Sequence, residues 1–170
     1  LEFRRVLFRP LTGFKTALEA MCAMRIREGE ALRTVLNTRL DAIAALIAAA
    51  EALPERGIEA VKAKLAEQVR ALCEAAAPLD PERLHQEAVL LATKADVREE
   101  LDRLTAHLDQ ARDLLAKGGP VGRRLDFLAQ ELNREANTLC SKSTSVALTP
   151  IGLDLKLLVD QFREQIQNVE

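Results

Sequence analysis

Apolar residues recur three and four positions apart along most of this chain. Over residues 11–53 the spacing runs through Phe14, Leu18, Met21 and Cys22, then Leu32, Leu36, Leu40, Ile43 and Ile47. That is the stripe of a helix burying one face. Gly29 interrupts it at a cost of about 1 kcal/mol against Ala, and marks a bend or a close contact. Pro54 stops this helix, and Pro54-Glu55 starts a second with Ile58, Val61, Leu65, Val69 and Leu72 as its stripe. Asp80-Pro81-Glu82 opens a third: Asp80 caps free amides, Pro81 suits the first turn and Glu82 complements the dipole. The predicted third helix runs to Lys117, where Gly118-Gly119-Pro120 ends it. Within it Val97, Leu101, Leu104, Leu108, Ala111 and Leu115 alternate by four and three, a heptad seam. Leu84, Ala88, Leu91 and Ala95 form an upstream seam slightly out of phase. A fourth helix is predicted over residues 122–141. A polar loop at Ser143-Thr144-Ser145 follows, and Thr149-Pro150 starts a last helix through Asn168.

The pattern therefore predicts an all-α fold: an elongated bundle of about five helices with long antiparallel, coiled-coil-like members. Composition agrees. Of 170 residues 48% are hydrophobic but only 3% aromatic, with no Trp or Tyr. Such a core is built from Leu, Ala, Val and Ile, which disfavours an all-β sandwich or barrel. The first ten residues, with three Arg and two Phe, resemble no later stretch and carry no initiator Met. They are expected to be a foreign or truncated end. The remainder, 11–170, is expected to be one helical domain, with a long-helix arm over 11–117 and a C-terminal helical pair over 118–170.

Charge narrows the function classes. Lys and Arg number 24 against 26 Asp and Glu, a formal charge of −2. The chain is not generally basic, so any nucleic-acid surface must be local. Cys22, Cys73 and Cys140 stand alone, which excludes a disulfide framework and a Cys-x-x-Cys zinc site, and they are expected as mostly buried thiols. The longest apolar run, residues 42–50 between Asp41 and Glu51, is too short for a hydrocarbon core that needs about 20 residues. No helix pairs a broad apolar face with a basic one, which disfavours a membrane-surface role. With no signal-peptide pattern, a cytoplasmic location is expected.

Candidate chemistry lies on two helices. On the helix from Gly122, Leu125, Leu128, Ala129, Leu132, Ala136 and Leu139 share the core sector. Asp126, Gln130, Asn133, Arg134 and Asn137 share another, with Arg123 beside them. Asn favours helices poorly, so an amide row implies partners: base edges and sugar hydroxyls, or a facing helix that makes it a structural ladder. Arg123-Arg124 at the helix start suits phosphate. The second cluster is Asp96, Glu99, Glu100 and Asp102, with Glu87 upstream. Asp96 and Glu100 are one turn apart and share a face suited to Mg²⁺ or Mn²⁺. Equally, Glu99 stands four before Arg103, the preferred salt-bridge order of a solvated face. His85 and His107 would lie about 33 Å apart on one helix, so they cannot share an ion, but His107 alone can exchange a proton. Phosphate loops, nucleophile elbows and zinc signatures are missing.

At this point the residues resemble a known family. Gly122-Arg-Arg-Leu-Asp-Phe-Leu-Ala-Gln-Glu-Leu-Asn-Arg-Glu-Ala-Asn-Thr, then Ser141-Lys142, and the ending Arg163-Glu-Gln-Ile-Gln-Asn-Val-Glu170 are similar to the C-terminal domain of the YicC/YloC family. The stretch from Arg83 through Asp96-Val-Arg-Glu-Glu100 to His107 matches its middle motif, and Arg27-Glu28-Gly29 with Leu32 fits its earlier helix. The resemblance implies a bacterial, metal-dependent endoribonuclease assembled as a ring-like hexamer, and it implies no specificity for DNA. It carries Glu87, Asp96, Glu99, Glu100 and His107 in one motif, and Arg123, Arg124, Asp126, Gln130, Glu131, Asn133, Arg134, Glu135 and Asn137 in the other.

From these motifs the expected catalytic group is Glu87, Asp96, Glu99, Glu100 and His107. The expected RNA contacts are Arg123, Arg124, Gln130, Asn133, Arg134 and Asn137. Asp96, Glu100 and Asp126 are the candidate ligands of a divalent cation, Mg²⁺ or Mn²⁺. The carboxylate row and the amide row are expected to line a shared cleft. Family members are nearly twice as long and open with an N-terminal domain, which this chain is expected to lack. The residues after Lys142 also depart from the family pattern, where an acidic residue is common. The rival reading is a non-catalytic helical module for oligomerisation or for recruiting another nuclease, which the heptad seam supports equally.

Overall fold

Helix α1 runs without interruption over Glu2–Glu51, 50 residues and about 75 Å. In this computed structural model the described residues are 2–53, 66–67, 69–70, 82, 86, 96–143 and 145–169, with backbone alone for 2–10. Three further helices follow: α2 over Arg98–Lys117, α3 over Gly122–Lys142 and α4 over Leu148–Ile166. The described residues contain no strand. The segment set apart by its composition therefore continues α1. Of the predicted second helix only residues 66–67 and 69–70 are described, and they are helical; the Asp80-Pro81 start, Glu87, His85 and Cys73 lie outside the described residues.

Each helix packs on two neighbours, α1 on α2, α2 on α3, α3 on α4 and α4 back on α1. Among the described residues these four helices form a bundle. Short turns make α2, α3 and α4 successively antiparallel. Helix α1 runs antiparallel to α2: its Asp41 reaches Arg112, while Leu32 and Leu36 lie beside Leu115 at the far end of α2. The core is the stripe the spacing predicts. Leu36, Leu40, Ile43 and Ile47 of α1 meet Leu101, Leu104, Leu108 and Ala111 of α2. Leu125, Leu132, Ala136 and Leu139 come from α3, and Leu155, Val159 and Phe162 from α4. All six members of the heptad seam, Val97 through Leu115, are buried.

Three expectations are corrected. The helix predicted over 81–117 is not continuous, because Asp96 and Val97 are non-helical. Asp96 Oδ1 accepts the Arg98 amide at 2.9 Å, so the side chain read as a helix-face ligand serves as a start signal. The last helix begins before Thr149-Pro150. Ser145 Oγ accepts the amides of Ala147 and Leu148, and Pro150 sits in the first turn, where its missing N–H is not needed. The apolar stripe of α1 is core only from Leu32 onward: Leu11, Phe14, Leu18 and Met21 are exposed, as is Cys22.

Two glycine features position α3. Gly118 and Gly119 have φ of 66° and 82°, the left-handed conformations that let the chain reverse between α2 and α3. Gly152 of α4 lies so close to α3 that a Cβ there would come 2.6 Å from Cys140 Sγ.

A polar seam between two antiparallel helices

The antiparallel pairing of α2 with α3 aligns polar residues that sequence spacing alone does not connect. On α2, Glu99, Glu100, Arg103 and His107 follow one edge of the core stripe. On α3, Glu131, Glu135 and Lys142 do the same. At one end Lys142 Nζ lies 2.8 Å from Glu100 Oε1 and donates to the Asp96 carbonyl at 3.3 Å. In the middle Arg103 donates to Glu99 on its own helix and, at 3.5 Å, to Glu135 across the seam. Further along, His107, Glu131 and Glu135 each offer a ligand atom within 4.8 Å of the others.

Burial makes this seam unusual. Glu100 and Glu135 are 4% and 3% exposed, and they are the buried charged residues of the described core. A buried carboxylate requires a partner, and the two cations supply it. Glu99, the nearer influence, and then Glu135 hold the Arg103 guanidinium above its ordinary pKa. Glu100 Oε2 and His107 Nδ1 are buried without a hydrogen-bond partner. Imidazole nitrogen with two carboxylates is a donor set that suits Mn²⁺ and related divalent ions. These residues therefore fit a metal ion.

The expected site residues fall into separate groups. Asp96 precedes α2 and accepts its first amide, Glu99 binds Arg103 and Glu100 binds Lys142. Asp126 lies on the other side of α3, where it accepts from Arg163 of α4 at 3.2 Å and from Gln130 at 2.7 Å. The structure thus does not gather Asp96, Glu100 and Asp126 around one point, because Asp96 precedes the helix and Asp126 faces α4. His107 is joined instead by Glu131 and Glu135. Both belong to the motif matched in the sequence, but spacing within α3 could not show that α2 brings a histidine to them.

The amide row is a ladder. Asn137 donates to Asn133 at 2.8 Å, and Asn133 donates to Asp160 of α4 at 2.9 Å. It does not share a cleft with the carboxylate row; the two flank α3, separated by an exposed face. That face carries Arg123, Arg134 and Thr138, at roughly 100° per residue from the Glu131 edge toward the Gln130 edge. Arg134 is 71% exposed at its side chain and lies 3.8 Å from Glu131. Arg123 and Arg124 are exposed at the helix start, where no acidic residue shares the first turn. A separate cleft of about 610 Å³ between α1, the α2–α3 turn and the end of α4 holds none of the expected site residues.

An all-helical bundle with an imidazole–dicarboxylate seam beside exposed arginines defines a candidate metal and polyanion site. Residues 50–170 match the family model described as endoribonuclease YicC-like, C-terminal, and the chain belongs to that family. It is 44% identical over 160 residues to a probable endoribonuclease YicC of Haemophilus influenzae, covering 94% of this chain and 55% of that protein. It is 34% identical over 154 residues to a probable endoribonuclease YicC of Clostridioides difficile, covering 91% of this chain and 53% of that protein. The chain thus spans about half the length of the curated relatives it matches. No helix among the described residues is long and apolar enough to cross a membrane.

Proposed function

We propose that this chain supplies the metal-holding and phosphate-binding helices of an endoribonuclease that hydrolyses RNA phosphodiester bonds. The observation that carries the reading is the meeting of His107, Glu131 and Glu135 across the α2–α3 seam, one α3 turn from exposed Arg134. His107, Glu131 and Glu135 would hold a divalent ion, Mn²⁺ or Mg²⁺. When bound, the ion would polarise the scissile phosphate and lower the pKa of an attacking water. The chain's own residues do the rest. Arg134 and Arg123, eleven residues and about 16 Å apart on one face of α3, would bind phosphates separated along one strand, with Arg124 beside them. Gln130 and Asn137, exposed at the edge of the amide ladder, would contact sugar hydroxyls or base edges, and Asn133 holds that ladder to α4.

The positive charge is local, as a chain of net charge −2 requires. Assembly as a homo-oligomer, hexameric by family resemblance, would add further arginine faces. The test is cleavage of single-stranded RNA by the protein that carries this chain, with Mn²⁺, Mg²⁺ or EDTA. Glu131→Gln is expected to abolish metal-dependent cleavage; retained cleavage would reject the site. A second reading, a non-catalytic oligomerisation or nuclease-recruiting module, is favoured by the exposed apolar stripe Leu11, Phe14, Leu18 and Met21. It predicts that Glu131→Gln changes nothing in cleavage while polar substitutions in that stripe lower the oligomeric state.

A further inference from the structure

We propose that Arg103 is the internal counter-cation of the seam, displaced from Glu135 when a divalent ion binds and then free to grip an RNA phosphate. The inference rests on the metal reading above and adds a coupling to it.

Glu135 is 3% exposed, and its recorded cationic partner is Arg103 at 3.5 Å. The same carboxylate belongs to the group whose ligand atoms lie within 4.8 Å of one another. A divalent ion placed there would compete with a guanidinium for one carboxylate, and two cations at contact range repel. One must yield. Arg103 is the one that can move: its side chain is half exposed, whereas Glu131 and Glu135 are fixed on a packed helix. It also has somewhere to stay. Glu99, exposed and one turn earlier on α2, holds the other arm of the fork. On release from Glu135 the guanidinium keeps one anchor and turns the freed donors toward solvent. There it would lie beside the face of α3 that carries Arg134. The planar fork suits a phosphate with two oxygens to offer.

The displaced cation and the incoming strand are therefore linked. Metal binding releases a phosphate-binding group, and removal of that group should strengthen metal binding while uncoupling it from RNA.

The experiment uses the 170-residue chain with Mn²⁺ as the probe, free ion being read by electron paramagnetic resonance. The second readout is fluorescence anisotropy of a short labelled single-stranded RNA, with and without Mn²⁺, read before turnover. Arg103→Met is expected to bind Mn²⁺ roughly fivefold tighter and to lose the gain in RNA affinity that Mn²⁺ gives the wild type. Arg103→Lys keeps the charge without the fork, guards against misfolding of the first variant, and is expected to fall between. Unchanged or weaker Mn²⁺ binding in both variants, or an Mn²⁺-induced gain in RNA affinity that survives them, overturns the proposal. His107→Ala separates the two levels. Mn²⁺ binding that depends on His107 but ignores Arg103 rejects the displacement alone. Mn²⁺ binding that ignores His107 rejects the metal site and the displacement together.

Discussion

Glu100 and Lys142 close one end of the α2–α3 seam as a 2.8 Å ion pair, with the carboxylate almost fully buried and the ammonium 30% exposed at its side chain. Helix start and helix end are thereby joined, because the same Lys142 also donates to the Asp96 carbonyl. Breaking such a pair from one side leaves a charge without compensation. Lys142→Met is expected to destabilise the fold by about 3 kcal/mol, and the double variant Glu100→Met with Lys142→Met to regain most of it. Urea denaturation of the wild type and the two variants measures this; a double variant no better than the single would show that the pair is not the cause.

The metal assignment separates carboxylates that look alike in sequence. His107→Ala and Glu131→Gln are each expected to weaken Mn²⁺ binding by about tenfold or more with helix content preserved. Asp96→Ala is expected to leave Mn²⁺ binding unchanged and to cost about 1 kcal/mol of stability through the lost start of α2. Calorimetric titration and circular dichroism on the same samples check both.

Arg134 offers a test of phosphate binding because its ion pair with Glu131 is long and its own side chain is exposed. Arg134→Ala is expected to weaken RNA binding and to reduce the slope of log affinity against log salt by about 1, with stability unaltered. An unchanged slope would remove Arg134 from the phosphate track.

The contact of Gly152 with Cys140 sets the distance between α3 and α4. Gly152→Ala brings a methyl group to 2.6 Å from the sulfur and is expected to cost about 1–3 kcal/mol. Cys140→Ala in the same chain removes the obstacle and is expected to restore much of the loss. Thermal melts of the pair distinguish this steric cause from a general intolerance of Ala in α4.

The core was legible in the sequence because it depends on period alone. Leu125, Leu128, Ala129, Leu132, Ala136 and Leu139 are all buried as their spacing predicts. The Asn133 row also announced that it needed partners, and Asp160 and Asn137 supply them. What spacing misread was continuity. Asp96 and Glu100 appear four apart on one face only if the helix passes through both, and Asp96 and Val97 stand outside it. Glu135 was illegible for another reason. A carboxylate next to a core stripe is ordinarily solvated. Its burial depends on Arg103, 32 residues earlier, and only the register of α2 on α3 sets that distance.

Every polar group of the seam comes from residues 96–142, a single helical hairpin reversed by the left-handed pair Gly118 and Gly119. Closing so short a loop costs little chain entropy, and contacts between near neighbours in sequence form fast. The register that brings His107 to Glu131 is thus inherited from one tight reversal. Lengthening or stiffening that reversal by a single residue would slide the two ligand rows past each other and dismantle the cluster while leaving both helices intact.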